Sequence, residues 1–137
     1  MSLNPIQEAI IGYFLAGPAN DINIATRWYP RGELLLIVDD KFQMAVRKFG
    51  VRVRGATKPA ADAFLQAMID KGGWETKPQE YGSMHQFNHG VYRAALKDMQ
   101  AGNALVAEAA AGGEDFWKDK FAALVAAGLS SRSEITD

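Results

Sequence analysis

Two helical segments with clear start and stop signals enclose a stretch that alternates like β strands, and this arrangement limits the fold more than any other feature. The first segment, residues 5–16, begins after Asn4 and ends at a Gly-Pro pair. The second begins at Thr57 and ends at a Gly-Gly pair, with its apolar residues at helical spacing. The chain therefore combines helices with a sheet.

The stretch between these segments predicts antiparallel strands. Residues 22–29 alternate between apolar and other side chains, and residues 34–38 form an apolar run after the turn-like sequence Pro30-Arg31-Gly32. Residues 51–54 read Val-Arg-Val-Arg, which has the period of a further strand and places both arginines on one face of a sheet.

Residues 41–49 fit two structures. Phe42, Met44 and Val46 have strand spacing, which we favour. The alternative is a short helix that is capped by Asp40 and ends at Gly50.

The second half of the chain predicts one hairpin and then helices. Residues 74–77 and 83–87 form the hairpin, Asn88 caps a helix, and glycines at 102 and 112–113 separate it from two further helices. We predict an α+β domain with an N-terminal helix, a three- or four-stranded antiparallel sheet, a covering helix and a helical C-terminal third. The expected boundaries are 1–129 for one domain and 130–137 for a polar, flexible tail.

Composition excludes several classes of protein. The 137 residues are 48% apolar and 23% charged, the balance of an ordinary soluble domain. There is no cysteine, which excludes disulfides and thiolate metal sites and fits a reducing compartment. The longest strongly apolar run, residues 34–38, is far too short to cross a membrane, and the N-terminus lacks a secretory signal. We therefore predict a cytoplasmic protein without a membrane partner.

The window from residue 41 to 61 holds six basic residues and no acidic one, although the net charge of the chain is −1. We predict that five of them hold a polyanion, such as nucleic acid, or an acidic protein surface: Arg47, Lys48, Arg52, Arg54 and Lys58. The simpler interpretation is a solvated sheet face.

Catalysis, metal binding and a cofactor are not predicted. His85 and His89 have the i, i+4 spacing of a helical metal site but no third ligand. Ser83 is not a nucleophile candidate, because a nucleophile elbow requires a glycine two residues after the serine and this chain has none there. The adjacent Asp39 and Asp40 are expected to form turns or caps. A small pocket lined by Tyr81, His85, His89 and Asp39 is a third hypothesis, below a binding protein and an interaction module.

The interaction module would use the alanine-rich C-terminal helices. Alanine lets helices approach closely, and Trp117 and Phe121 on the last helix could anchor a partner or a second copy of the chain.

Two families show a similar order of elements. The order helix, three strands, helix resembles the double-stranded RNA-binding domain, which carries a run of lysines where this chain has Lys58 and Pro59. The hairpin after Lys71 resembles the wing of a winged helix, which requires a helix-turn-helix where the pattern here predicts strands. The sequence therefore identifies no family.

Overall fold

A computed structural model describes residues 3–17, 24–50, 57–79 and 82–127. These residues form α1 (Pro5–Ala16), β1 (Trp28–Pro30), α2 (Arg31–Val46), a 3₁₀ turn (Arg47–Phe49), α3 (Lys58–Asp70), β2 (Trp74–Gln79), β3 (Gly82–Phe87), α4 (His89–Ala101), α5 (Ala104–Gly112) and α6 (Phe116–Ala126). The α+β class, with helices at the C-terminal end, is confirmed. None of the helices in these described ranges is long and apolar enough to cross a membrane.

Helix α1 starts and ends where the sequence predicts, and it lies in the centre of the core. Asn4 and Gln7 form a capping box, in which each side chain bonds the other residue's backbone N–H. Ile6, Ile10 and Phe14 are buried, and α1 packs against α3, α4, α5 and α6. At the other end of α1, the Gln100 amide donates to the Leu15 carbonyl at 2.6 Å.

The segment from residue 31 to 46 is a helix, so the strand predicted for residues 34–38 is wrong. Pro30 adopts extended backbone and serves as the N-cap of α2, instead of forming a hairpin turn. A short apolar run does not distinguish a strand from a buried helix by its period. Helical spacing buries four apolar side chains: Leu34, Val38, Phe42 and Val46.

The strand favoured for residues 41–49 is also wrong, and the helical alternative is confirmed. This helix is the continuation of α2, so Asp40 lies within it and is not its cap. The helix ends as the alternative predicts: the 3₁₀ turn closes at Gly50, which has a φ of 75°, and the Gly50 N–H donates to the Arg47 carbonyl. The strand predicted over 51–54 lies outside the described residues, as do residues 22 and 23, Gly128 and the predicted tail.

Helix α3 is confirmed, and it packs against α2 and α1. Phe64 of α3 and Phe42 of α2 have ring centroids 5.5 Å apart, and both are buried. The helix ends in a Schellman motif, in which the Gly73 N–H donates to the Met68 carbonyl and Gly72 has a φ of 73°.

The described strands form one antiparallel sheet in the order β1-β3-β2. Central strand β3 places His85 opposite Tyr29 of β1 and Thr76 of β2. Of the strand predicted over residues 22–29, Trp28 and Tyr29 are in β1, and residues 24–27 are not in a strand. The predicted hairpin and the Asn88 cap of α4 are confirmed.

Candidate functional site

The basic window lies around the connection between α2 and α3. Arg47 and Lys48 are exposed in the 3₁₀ turn, and Lys58 is the exposed first residue of α3. Arg52 and Arg54, which belong to the same predicted set, lie outside the described residues. The structure therefore places described cations at both ends of this connection.

The N-terminal end of the connection is fixed to the core by aromatic rings. Phe49 stacks on Phe121 of α6 with a centroid separation of 4.7 Å, and it meets the edge of Tyr13 of α1 at 5.0 Å. The Lys48 Nζ lies 5.4 Å from the centroid of the Tyr13 ring. This is a cation–π contact, which holds the Lys48 stem against the rings and leaves its charge near solvent.

The C-terminal end of the connection is fixed by a buried polar pair. The Thr57 hydroxyl donates to the Asp39 carboxylate of α2, and both residues are buried. The Gln43 amide donates to the other Asp39 oxygen at 3.0 Å. A buried carboxylate is costly without hydrogen-bond donors, so this pair fixes the start of α3 against α2. The prediction that Asp39 forms a turn or a helix cap is wrong, because Asp39 lies within α2.

Within the part of the chain that the structure describes, no acid neutralises the charges at the site. The ion pairs formed within the described ranges join Arg27 to Glu33, Arg31 to Asp62 and Lys71 to Asp98. Among those residues, none pairs with Arg47, Lys48 or Lys58.

The helix dipoles stabilise some of the cations at the site and not others. Arg47 and Lys48 follow the C-terminus of α2, where the helix dipole favours cations. Lys58 sits at the N-terminus of α3, where the dipole does not favour a cation. Lys58 is therefore an exposed cation that its own helix does not stabilise.

The exposed side of α3 is organised by Arg31, the first residue of α2. Its guanidinium donates to Asp62 at 2.8 Å and to the Gln66 amide oxygen at 3.0 Å. The Gln66 amide in turn donates to Asp70 at 2.9 Å. Arg31 therefore links the start of α2 to the outer surface of α3.

The two histidines lie on different elements, so the helical metal-site spacing does not apply. His85 is buried in β3 with its Nδ1 3.0 Å from the Thr76 hydroxyl, while His89 is the exposed first residue of α4. Burial, and then the charge of Arg31, lower the pKa of His85. No three His, Cys, Asp or Glu residues of the described ranges are arranged to hold a metal ion.

The residues predicted as anchors for a partner pack inside the chain. Phe121 is fully buried, and Trp117 meets the Tyr13 ring at 5.6 Å. A Cβ added to Gly12 would lie 3.0 Å from Trp117, so this glycine lets the C-terminal helices approach α1. The contact of Phe121 with the turn at residues 47–49 was missed by the sequence analysis, because the two segments are far apart in the chain.

An open groove of about 450 Å³ lies between the end of α3 and α4, and Arg47, Lys48 and Lys58 do not line it. It is bordered by the ion pair between Lys71 and Asp98, and its lining is Lys71, Gly72, Val91, Ala94, Ala95 and Asp98.

Comparison of the chain with family models, with curated proteins and with solved structures finds no match. The candidate site therefore rests on the geometry described above.

Proposed function

We propose that this protein is a non-enzymatic nucleic-acid-binding protein that holds the phosphate backbone of duplex DNA through the connection between α2 and α3. The observation that carries the proposal is the placement of cations at both ends of a connection whose two ends are fixed to the core, where no acid among the described residues forms an ion pair with them. The predicted contacts are made by Arg47, Lys48, Arg52, Arg54 and Lys58. Side chains on fixed backbone bind with less loss of entropy than side chains on a free loop.

The order of elements supports duplex DNA over other polyanions. Helix, strand, two consecutive helices and a hairpin follow each other along the chain, which resembles the order of a winged helix. The strands predicted for residues 34–38 and 41–49 were inconsistent with this resemblance, because a winged helix has a helix-turn-helix there. The structure has helix α2 at residues 31–46 instead. The connection from residue 47 to 57 is longer than the turn of about 3–4 residues in the simplest helix-turn-helix. Extra length there gives room for more phosphate contacts.

In this arrangement α3 would be the element that enters a groove. Its exposed side carries Lys58, Asp62 and Gln66, each about one turn after the one before. Phosphate contacts position a protein on the duplex, and glutamine reads base edges in the major groove; Gln66 would do so by exchanging its bonds to Arg31 and Asp70 for bonds to a base. The cytoplasmic location predicted from sequence fits this ligand and stays a prediction.

The test is fluorescence anisotropy with labelled duplex DNA, single-stranded DNA and RNA at several salt concentrations. Five phosphate contacts predict a slope of log K against log salt of about −4 to −5 on duplex DNA. The Arg47→Ala/Lys48→Ala variant should reduce the magnitude of this slope by about 2. The Arg52→Ala/Arg54→Ala variant should do the same.

The matched control is Lys97→Ala/Lys118→Ala, which removes two exposed cations from α4 and α6. It should leave the salt slope unchanged. Absence of binding at low salt, or an equal loss in the control, would contradict the proposal. Binding to an acidic protein surface but not to nucleic acid would favour the other partner predicted from the sequence.

The alternative predicted from sequence, an interaction or oligomerisation module that uses Trp117 and Phe121, has less support. Phe121 is buried within its own chain and so is not available to anchor a partner.

A further inference from the structure

His85 lies at the centre of the sheet, on its buried face. It is 3% exposed, and the register of the central strand β3 places it between Tyr29 of β1 and Thr76 of β2. Strand β3 also contacts α2, which begins at Arg31. A histidine can change its charge near neutral pH, so its surroundings decide whether the charged form fits.

The groups beside His85 suit a neutral imidazole better than a charged one. Its Nδ1 lies 3.0 Å from the Thr76 hydroxyl, and the Tyr29 hydroxyl donates to the Ala25 carbonyl. A protonated imidazole is a donor at both nitrogens and carries a charge, which is costly to bury without an anionic partner. The two flanking strands place an uncharged side chain on each side of it.

The acidic groups of the neighbouring elements are engaged elsewhere. Glu75 of β2 lies on the opposite side of the sheet, since side chains alternate along a strand, and it accepts a hydrogen bond from Asn88. Glu33 of α2 pairs with Arg27. Within the described ranges, no carboxylate forms an ion pair with His85.

The cations of the neighbouring elements make a further positive charge less favourable. Burial, and then the charge of Arg31, hold the pKa of His85 below its ordinary value of 6.5. Asp62 of α3 pairs with Arg31 and so is directed to that cation. Lys77 of β2 lies on the other side of the sheet, 4.4 Å from the centroid of the Trp28 ring.

The first three helices have a core of their own. Phe14, Phe42 and Phe64 come from α1, α2 and α3, with ring centroids 4.6, 5.2 and 5.5 Å apart. None of these three rings belongs to the sheet. A small sheet is stable only while its apolar face is packed, so strands that leave the helices also separate from one another. The sheet can therefore open without loss of the helical core.

We propose that His85 is a pH-sensitive switch that opens the sheet. When its imidazole takes up a proton, the strands leave α2 and separate from one another, while α1, α2 and α3 stay packed. The charged side chain then reaches water, from which the closed sheet excludes it. This inference goes beyond the proposed function and does not depend on it, because the opening is measured without nucleic acid.

Hydrogen exchange of backbone amides, followed by NMR at low urea concentrations, measures the opening. The amides of β2 and β3 should exchange through a reaction that depends less on urea than the exchange of α1 and α3 does, because it exposes less surface. Its equilibrium constant should rise from pH 7.5 to pH 5 by at most about 30-fold, since the open strands titrate at the ordinary pKa of about 6.5. A constant that does not change with pH, or the same urea dependence in sheet and helices, would overturn the proposal.

Substitution of each histidine identifies the group that titrates. His85→Gln should remove the rise in the opening constant at pH 5. His89→Gln, which changes the exposed histidine of α4, should retain it. Circular dichroism at pH 7.5 checks that both variants are folded. An equal rise in the wild type and in His85→Gln would assign the opening to another group and overturn the proposal.

An acid placed beside His85 tests the effect of its charge. Thr76 is exposed, and Thr76→Asp adds a carboxylate near Nδ1, where it stabilises the protonated imidazole. The opening constant should then change by less than about threefold between pH 7.5 and pH 5. The matched control is Gln79→Asp, which adds the same charge on the opposite side of β2 and should retain the rise. A full rise in Thr76→Asp would overturn the proposal.

Discussion

Helices α2 and α3 pack against each other, yet their outer faces differ. The outer face of α3 is polar, and its side chains are bonded to one another through Arg31, Asp62 and Gln66. The outer face of α2 exposes Leu36 and Met44. In α3 the apolar side chains are on the buried face and the polar ones on the exposed face, as the hydrophobic effect requires. In α2 apolar side chains also lie on the exposed face, so burial in the core does not account for all of its apolar residues.

The largest expected effect lies on the shared inner faces of these helices. Phe64→Ala removes a fully buried ring that contacts Phe42 and Phe14, and it should reduce the free energy of unfolding by about 3–5 kcal/mol. Met44→Ala on the outer face of α2 should change it by less than about 0.5 kcal/mol. Urea denaturation of both variants, under conditions in which each is monomeric, measures the difference. Equal losses would show that the inner surface between α2 and α3 contributes no more to stability than the outer face of α2.

A smaller effect separates two adjacent aspartates of α2. Asp39→Ala leaves the buried Thr57 hydroxyl without its acceptor, so the free energy of unfolding should fall by about 1–3 kcal/mol. Asp40→Ala, one residue away on the outer face, should change it by less than about 0.5 kcal/mol. The same denaturation experiment compares them. If Asp39→Ala costs no more than Asp40→Ala, then the polar pair does not fix the start of α3.

The smallest expected effect concerns His85, which lies near the Arg31 residue that links the two helices. Because its pKa in the folded protein is lowered by burial and then by Arg31, the unfolded chain binds a proton more readily than the folded one. The neutral His85 side chain therefore contributes fully to the free energy of unfolding above a pH of about 6.5, which is its pKa in the unfolded chain. This contribution is lost as the pH falls through the lower pKa of His85 in the folded protein.

Unfolding free energies measured between pH 7.5 and 5 should show this loss in the wild type. The loss should be reduced in His85→Gln, which does not titrate, and retained in His89→Gln. A wild-type and a His85→Gln profile of the same shape would contradict the role of His85.

The elements with a capping side chain or a glycine stop were predicted from the sequence. The Asn4 cap of α1, the Asn88 cap of α4 and the Gly72-Gly73 end of α3 are all visible as local patterns, and each is present in the structure. The start of helix α2 was not predicted, because Pro30 caps it without a side-chain hydrogen bond, and its end was predicted only as the alternative for residues 41–49. Its outer apolar residues also mask the helical period that would have identified it.

The charge of the candidate site was visible in the sequence, but its anchoring was not. Arg47, Lys48 and Lys58 stand out in a window without acids. The contacts that fix the connection between them join Phe49 to Phe121 and Asp39 to Thr57. Such contacts depend on how distant segments fold together, which no local pattern contains.

The bond from Gln100 to the Leu15 carbonyl has a consequence for synthesis of the chain. Helix α1 leaves the ribosome before α4 and α6. These later helices carry the side chain that satisfies the last turn of α1 and the Phe121 ring that packs on Tyr13. When the residues up to the end of α3 have left the ribosome, part of the apolar surface of α1 is therefore still exposed. Completion of the core must wait for α4 and α6, so a chain that stalls before them offers α1 to chaperones and proteases.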